Sequence, residues 1–149
     1  MQSVTAYLSV DGAADAIDFY TRAFGAQERY RLPMGDGRLG HAEITIGDTT
    51  LMLADEWPDG HVLGPLKRGG ASVSFSIEVD SVDALDAMWA SATSAGATVQ
   101  QEPEDQFYGY RSGQLIDPFG HRWGIMTKIE DVSPEEMQRR MEALGDQAS

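Results

Sequence analysis

From Val4 to Val10 the chain alternates. Val4, Ala6, Leu8 and Val10 fall on one side, and Thr5, Tyr7 and Ser9 on the other. That pattern predicts a half-buried strand. Asp11 is placed to cap a helix, with Asp15 and Asp18 early in it. Ala13, Ile17, Tyr20 and Phe24 recur as one helical stripe, and Gly25 is suited to end it. Three short apolar stretches follow: 27–32, 38–46 and 50–54. Asp36-Gly37 and Gly47-Asp48 read as the turns between them. Residues 55–70 break the pattern with prolines and glycines and read as a connecting loop.

The same order then recurs. Val73, Phe75, Ile77 and Val79 alternate with Ser72, Ser74 and Ser76. Asp80 is expected to cap a second helix, striped by Val82, Leu85, Trp89 and Ala92 and ended by Gly96. Strands are predicted over 98–102, within 107–116 and over 122–128, with the ladder loosened at Gly109 or Gly113. Leu115 to Met126 (LIDPFGHRWGIM) is the sharpest signal, since an Asp-Pro-Phe-Gly turn sits between two apolar strands. Val10-Asp11 matches Val79-Asp80, and Gly25-Ala26 matches Gly96-Ala97. Strand-helix-strand-strand-strand therefore occurs twice, as modules 1–56 and 71–130 joined by loop 57–70, giving one domain over 1–132. Ser133, Pro134 and Glu136 start a last helix in 133–149, with Met137, Met141 and Leu144 on one stripe.

Composition narrows the classes. The chain of 149 residues has no cysteine and a formal net charge of -13. Disulfides and thiolate chemistry are excluded. Nucleic acid and anionic membrane surfaces are electrostatically disfavoured partners. No apolar run is long enough to cross a membrane and no secretory leader pattern opens the chain, which predicts a cytoplasmic protein. A nucleophile elbow, a phosphate-binding glycine loop, an H-E-x-x-H helix and a dinucleotide fingerprint are all missing.

Strand parity supplies the candidate site. The sides opposite the apolar faces carry Thr5, Tyr7 and Ser9; His41, Glu43 and Thr45; Thr50, Met52 and Ala54; Ser72, Ser74 and Ser76; and Arg122, Gly124 and Met126. Tyr7, Met52 and Met126 are unusual choices for open sheet surface and favour a lined cleft. Tyr7, Met52, Ser74, Phe107, Tyr110, Arg122 and Met126 are the expected ligand contacts. His41 and Glu43, two apart on one strand, share a side. A carboxylate beside an imidazole permits proton transfer, and a surface pair or cross-strand hydrogen bond is the commoner reading of the same pattern. They are the candidate catalytic residues.

These features resemble the glyoxalase/bleomycin resistance/extradiol dioxygenase superfamily, also called vicinal oxygen chelate. The stretches 6–26, 38–56, 104–125 and 132–140 are similar to its PhnB-like branch. The resemblance implies an α+β fold in which two βαβββ modules form a shared curved-sheet cup, plus the C-terminal helix, and a homodimer. Many members hold a divalent metal through four strand positions, which here are Thr5, Met52, Ser74 and Gly124. None is a His, Gln or Glu, so no metal and no other cofactor is expected. The resemblance implies metal-independent binding of a small organic molecule, in the manner of resistance or sequestration proteins. The alternative is a glyoxalase-like lyase, isomerase or other enzyme using His41 and Glu43 or an atypical divalent-metal site.

Overall fold

A computed structural model describes residues 1–148, with side chains to 146. It contains two four-stranded mixed sheets. The first has the order β1 (Tyr7–Val10), β4 (Thr49–Asp55), β3 (Leu39–Ile46), β2 (Gln27–Pro33). The second has the order β5 (Ser74–Glu78), β8 (Arg122–Lys128), β7 (Tyr110–Ile116), β6 (Thr98–Asp105). In each, the first strand pairs parallel with the last and the other pairings are antiparallel. Helix α1 (Ala13–Phe24) follows β1 and α3 (Val82–Ala95) follows β5. The repeated βαβββ unit is therefore real, and α4 (Pro134–Ala148) follows it.

One core serves both modules. Leu8, Val10, Ala42, Ile44, Leu51 and Leu53 of the first sheet join Leu115, Trp123 and Ile125 of the second. Helix α1 is buried on more than one side, because it packs on its own sheet and on α3. Its Tyr20 and Phe24 rings lie 5.3 and 4.7 Å from the Trp123 ring. The DPFG turn ties this seam. Asp117, 4% exposed, accepts from the Tyr20 hydroxyl at 2.6 Å and from Trp123 Nε1 at 2.9 Å. Its other oxygen accepts from the backbone N–H groups of Phe119 and His121. A buried carboxylate needs this many donors to offset its desolvation.

Local differences from the sequence reading have physical causes. Asp11 does not cap α1. Gly12 occupies the cap at φ 103°, and Asp55 Oδ1, arriving at the end of β4, accepts from Gly12 N and Ala13 N. Asp55 Oδ2 takes Leu39 N, so one carboxylate joins β4, α1 and β3. Ser81 rather than Asp80 caps α3, accepting from Ala84 N at 3.1 Å. The paired parts of β1 and β5 begin at Tyr7 and Ser74, leaving Val4 and Val73 exposed. The register shifts between β6 and β7 lie at Val99/Gln101 and Gln101/Glu104; Gly113 pairs regularly with Ile125. The connecting stretch is partly structured, with a turn of 3₁₀ helix at Pro58–Gly60, a bridge between Trp57 and Val62, and the short helix α2 (Pro65–Arg68). Ser133 does cap α4, accepting from Glu136 N. Its Met141 and Leu144 stay exposed. Arg140 holds it down through Phe107 O and Glu130.

Candidate functional site

The outer face of the first sheet carries a connected polar group. Tyr7 on β1, Met52 on β4 and Glu43 on β3 stand in register across three strands. His41 is opposite Leu32 of β2, and Tyr30 is opposite Glu43. Between Tyr7 and His41 the intervening strand offers only Met52 and the small Ala54, so the two long side chains close over it. Tyr7 Oη lies 2.6 Å from His41 Nδ1. His41 Nε2 lies 3.4 Å from Glu43 Oε2, which also accepts from the Tyr30 hydroxyl at 2.7 Å. Arg29 Nη1 reaches the other Glu43 oxygen at 3.3 Å.

The proton positions follow from chemistry. An ionised carboxylate only accepts, so His41 Nε2 must donate to it. In the neutral ring Nδ1 is then the acceptor, and the Tyr7 hydroxyl donates. The Tyr30 hydrogen bond, aided by His41 and Arg29, holds the Glu43 carboxyl below the usual range. Partial burial pushes the Tyr7 phenol up, so it is a neutral donor near neutral pH.

Tyr7 also forms a wall of a cavity of about 810 Å³. Met34, Leu39, Ala54, Trp57 and Val62 give that cavity an apolar lining. Trp57 is 62% and Met34 57% exposed, an unusual share for such large side chains. Arg38 is the cation at its rim, and Asp36 pairs with it. The overhanging segment is anchored by Glu56, whose Oε2 accepts from Gly64 N at 2.7 Å and whose Oε1 pairs with Lys67 at 2.9 Å. A cavity of similar volume lies at the seam between the modules, lined by Phe24, Ser76, Glu78 and Trp123 among others. Its Glu78 is hydrogen-bonded to the Tyr110 phenol.

The expected site residues fall into two groups. Tyr7, His41, Glu43 and Met52 come together on the first sheet. Ser74, Arg122 and Met126 lie on the second, where Arg122 is occupied by Gln100 at 3.1 Å. Tyr110 flanks them, its phenol raised by a hydrogen bond to Glu78. The Phe107 ring meets the Tyr108 ring edge to face at 5.2 Å, beside α4. Tyr30, Arg29, Met34 and Trp57 are additions to the sequence reading. Strand parity on β2 carried a signal for Tyr30; nothing in the pattern pointed to Trp57.

The family's metal positions can be tested on this geometry. Thr5 precedes β1 and Ser74 opens β5, both exposed. Met52 offers only a thioether. At Gly124 a Cβ would sit 3.0 Å from the Gln114 amide and 3.3 Å from Ser76 Oγ, so the space for a ligating side chain is already filled. Among the described residues, no group of three His, Cys, Asp or Glu could hold an ion. This donor set does not fit a divalent cation.

Comparison with known proteins gives a consistent picture. The family model described as Glyoxalase/Bleomycin resistance protein/Dioxygenase superfamily matches residues 2–125. An uncharacterized protein of Mycobacterium bovis is 41% identical over 147 residues, covering 97% of this chain and 95% of that one. A Pseudomonas aeruginosa crystal structure overlays with a TM-score of 0.72 at 24% identity, covering 87% of this chain and 100% of the other. A structure described as a PhnB protein from Bacillus cereus overlays with a TM-score of 0.66 at 18% identity, covering 85% and 99%.

Proposed function

The chain belongs to the glyoxalase/bleomycin resistance protein/dioxygenase superfamily, and on that premise we propose that it is a metal-independent small-molecule-binding member of its PhnB-like branch. The four ion-holding positions, Thr5, Met52, Ser74 and Gly124, offer no His, Gln or Glu. The carrying observation is the cavity of about 810 Å³ walled by Tyr7, Met34, Trp57 and Val62. Such a wall binds by apolar burial and ring contact, with Tyr7 orienting one polar group of the ligand. Capture without turnover suits sequestration or resistance. A cytoplasmic setting accords with the acidic, cysteine-free chain, and no helix among the described residues is long and apolar enough to cross a membrane.

The partner of this face is a second copy of the chain. Tyr7, Tyr30, Leu32, Met34, Trp57 and Val62 are all large, apolar and more than a third exposed. Register places Tyr7, Tyr30 and Leu32 on one sheet face, and a homodimer covers them. Ser74, Arg122 and Met126, with Phe107 and Tyr110 nearby, remain the second-sheet ligand contacts of this reading.

Native mass spectrometry of protein purified without chelator and then exposed to zinc, nickel, manganese and iron salts is the test. A dimer mass with no stoichiometric ion, and with an organic adduct that denaturation releases, is the expected result. One tightly held ion per chain would overturn it. A second reading, an enzyme centred on His41 and Glu43, is favoured by the short Tyr7–His41 contact.

A further inference from the structure

The two sheets can be overlaid by register. Tyr7 corresponds to Ser76, Met52 to Gly124, Glu43 to Gln114, His41 to Ser112 and Tyr30 to Gln101. Every titratable member of the first set has a non-titrating counterpart in the second. A pair of surface charges does not explain a chain that runs phenol to imidazole to carboxylate. Nor does it explain why that carboxylate is further held by Tyr30 and Arg29.

From this arrangement we infer that Tyr7 is a proton-transfer residue, backed by His41 and Glu43, acting without a metal on an organic weak acid in the adjoining cavity. The inference rests on the capture reading above and adds a chemical step to it. The ligand's acidic hydrogen passes to Tyr7 Oη while the Tyr7 hydrogen passes to His41 Nδ1. The ligand leaves this step as its conjugate base and the protein gains one proton, held as imidazolium. His41 Nε2–H then faces the Glu43 carboxylate, which balances the new charge. Return of the proton to the same atom restores the ligand, and the cycle needs no oxidant or reductant.

The roles separate by position. Tyr7 alone of the three reaches the cavity wall, so it touches the ligand. His41 and Glu43 act behind it, with His41 accepting the relayed proton. Tyr30 and Arg29 are positioning residues that keep Glu43 an acceptor.

The probe is para-nitrophenol, an aromatic weak acid whose neutral and ionised forms absorb differently. Full-length protein with isotope-labelled histidine rings is followed by nuclear magnetic resonance near neutral pH. Without probe, His41 should show hydrogen on Nε2 and none on Nδ1. With saturating probe, nitrophenolate should rise above its free-solution fraction, and His41 should become imidazolium in equal measure. In Tyr7→Phe and in Glu43→Gln the nitrophenolate fraction should fall back to the solution value. Equilibrium dialysis reports capture separately, so an unbound probe counts against the binding reading. A free protein with hydrogen on Nδ1, or a Tyr7→Phe variant that ionises bound probe as the wild type does, would overturn the relay.

Discussion

The outer faces of the two sheets share one backbone lattice and carry different chemistry. At matched register positions the first has Tyr7, His41, Glu43 and Tyr30, and the second has Ser76, Ser112, Gln114 and Gln101. The inner positions differ too. Ala42 of β3 corresponds to Gly113 of β7, because the Trp89 ring lies over Gly113 and leaves no room for a methyl group. The turns differ as well. Gly47-Asp48 is a short exposed connection, whereas the longer turn at 117–121 sends Asp117 inward. The comparison teaches that the second module is committed to joining the halves, and the first is free to present reactive groups.

Breaking the joint should have the largest effect. Asp117→Ala leaves the Tyr20 hydroxyl and Trp123 N–H buried without their acceptor, at about 1–3 kcal/mol each. Urea denaturation should show a loss of roughly 3–5 kcal/mol, as for one partner removed from a buried charged network. Asp48→Ala in the matching turn should stay within about 0.5 kcal/mol. A loss below about 1 kcal/mol for Asp117→Ala would mean the seam is held elsewhere.

Next comes the inner lattice. At Gly113 a Cβ would lie 2.5 Å from the Trp89 ring. Gly113→Ala should cost about 1–3 kcal/mol through overpacking. Adding Trp89→Leu should recover part of that loss, as thermal denaturation of single and double variants would reveal. Equal costs with and without the tryptophan would assign the effect to backbone rather than contact.

The connecting segment walls the cavity at Tyr7, and its anchor should show in pH dependence. The Lys67 bond, with the Gly64 amide, holds the Glu56 carboxyl below its ordinary value. A carboxyl lowered on folding contributes stability that is present above its unfolded value near 4.5 and is lost as pH falls through the folded value. Glu56→Gln should therefore flatten the acid limb of a stability–pH profile and reduce stability at neutral pH. An unchanged acid limb would detach Glu56 from the anchor. The smallest effect on stability is expected from Tyr7→Ser, His41→Ser and Glu43→Gln together, which give the first sheet the chemistry of the second. Melting should move by no more than about 1 kcal/mol, since these groups lie on the outer face, while nitrophenol ionisation is lost.

The repeat was legible because each half alternates with period two and then stripes with the helical period. Leu8, Val10, Ile17, Tyr20 and Phe24 all proved buried as their spacing required. Helix starts were less legible. Asp11 and Asp80 have cap chemistry, yet Asp55, distant in sequence, outcompetes the first, and Ser81 replaces the second. Parity put His41 and Glu43 on one side of β3, where they stand. It could not pair His41 with Tyr7, because that contact spans 34 residues and depends on the strand order β1-β4-β3. Asp117 read as an ordinary turn residue. Its inward reach depends on where α1 packs, which no local pattern encodes.

That reach has a consequence for how the polypeptide is born. Tyr20 and Asp117 are 97 residues apart, and Trp123 must also arrive before the first helix has its final neighbours. During synthesis, α1 leaves the ribosome long before the carboxylate it will meet. The nascent chain must keep a half-wrapped aromatic helix shielded until the last strand appears, so folding is closed by its last-made elements rather than its first.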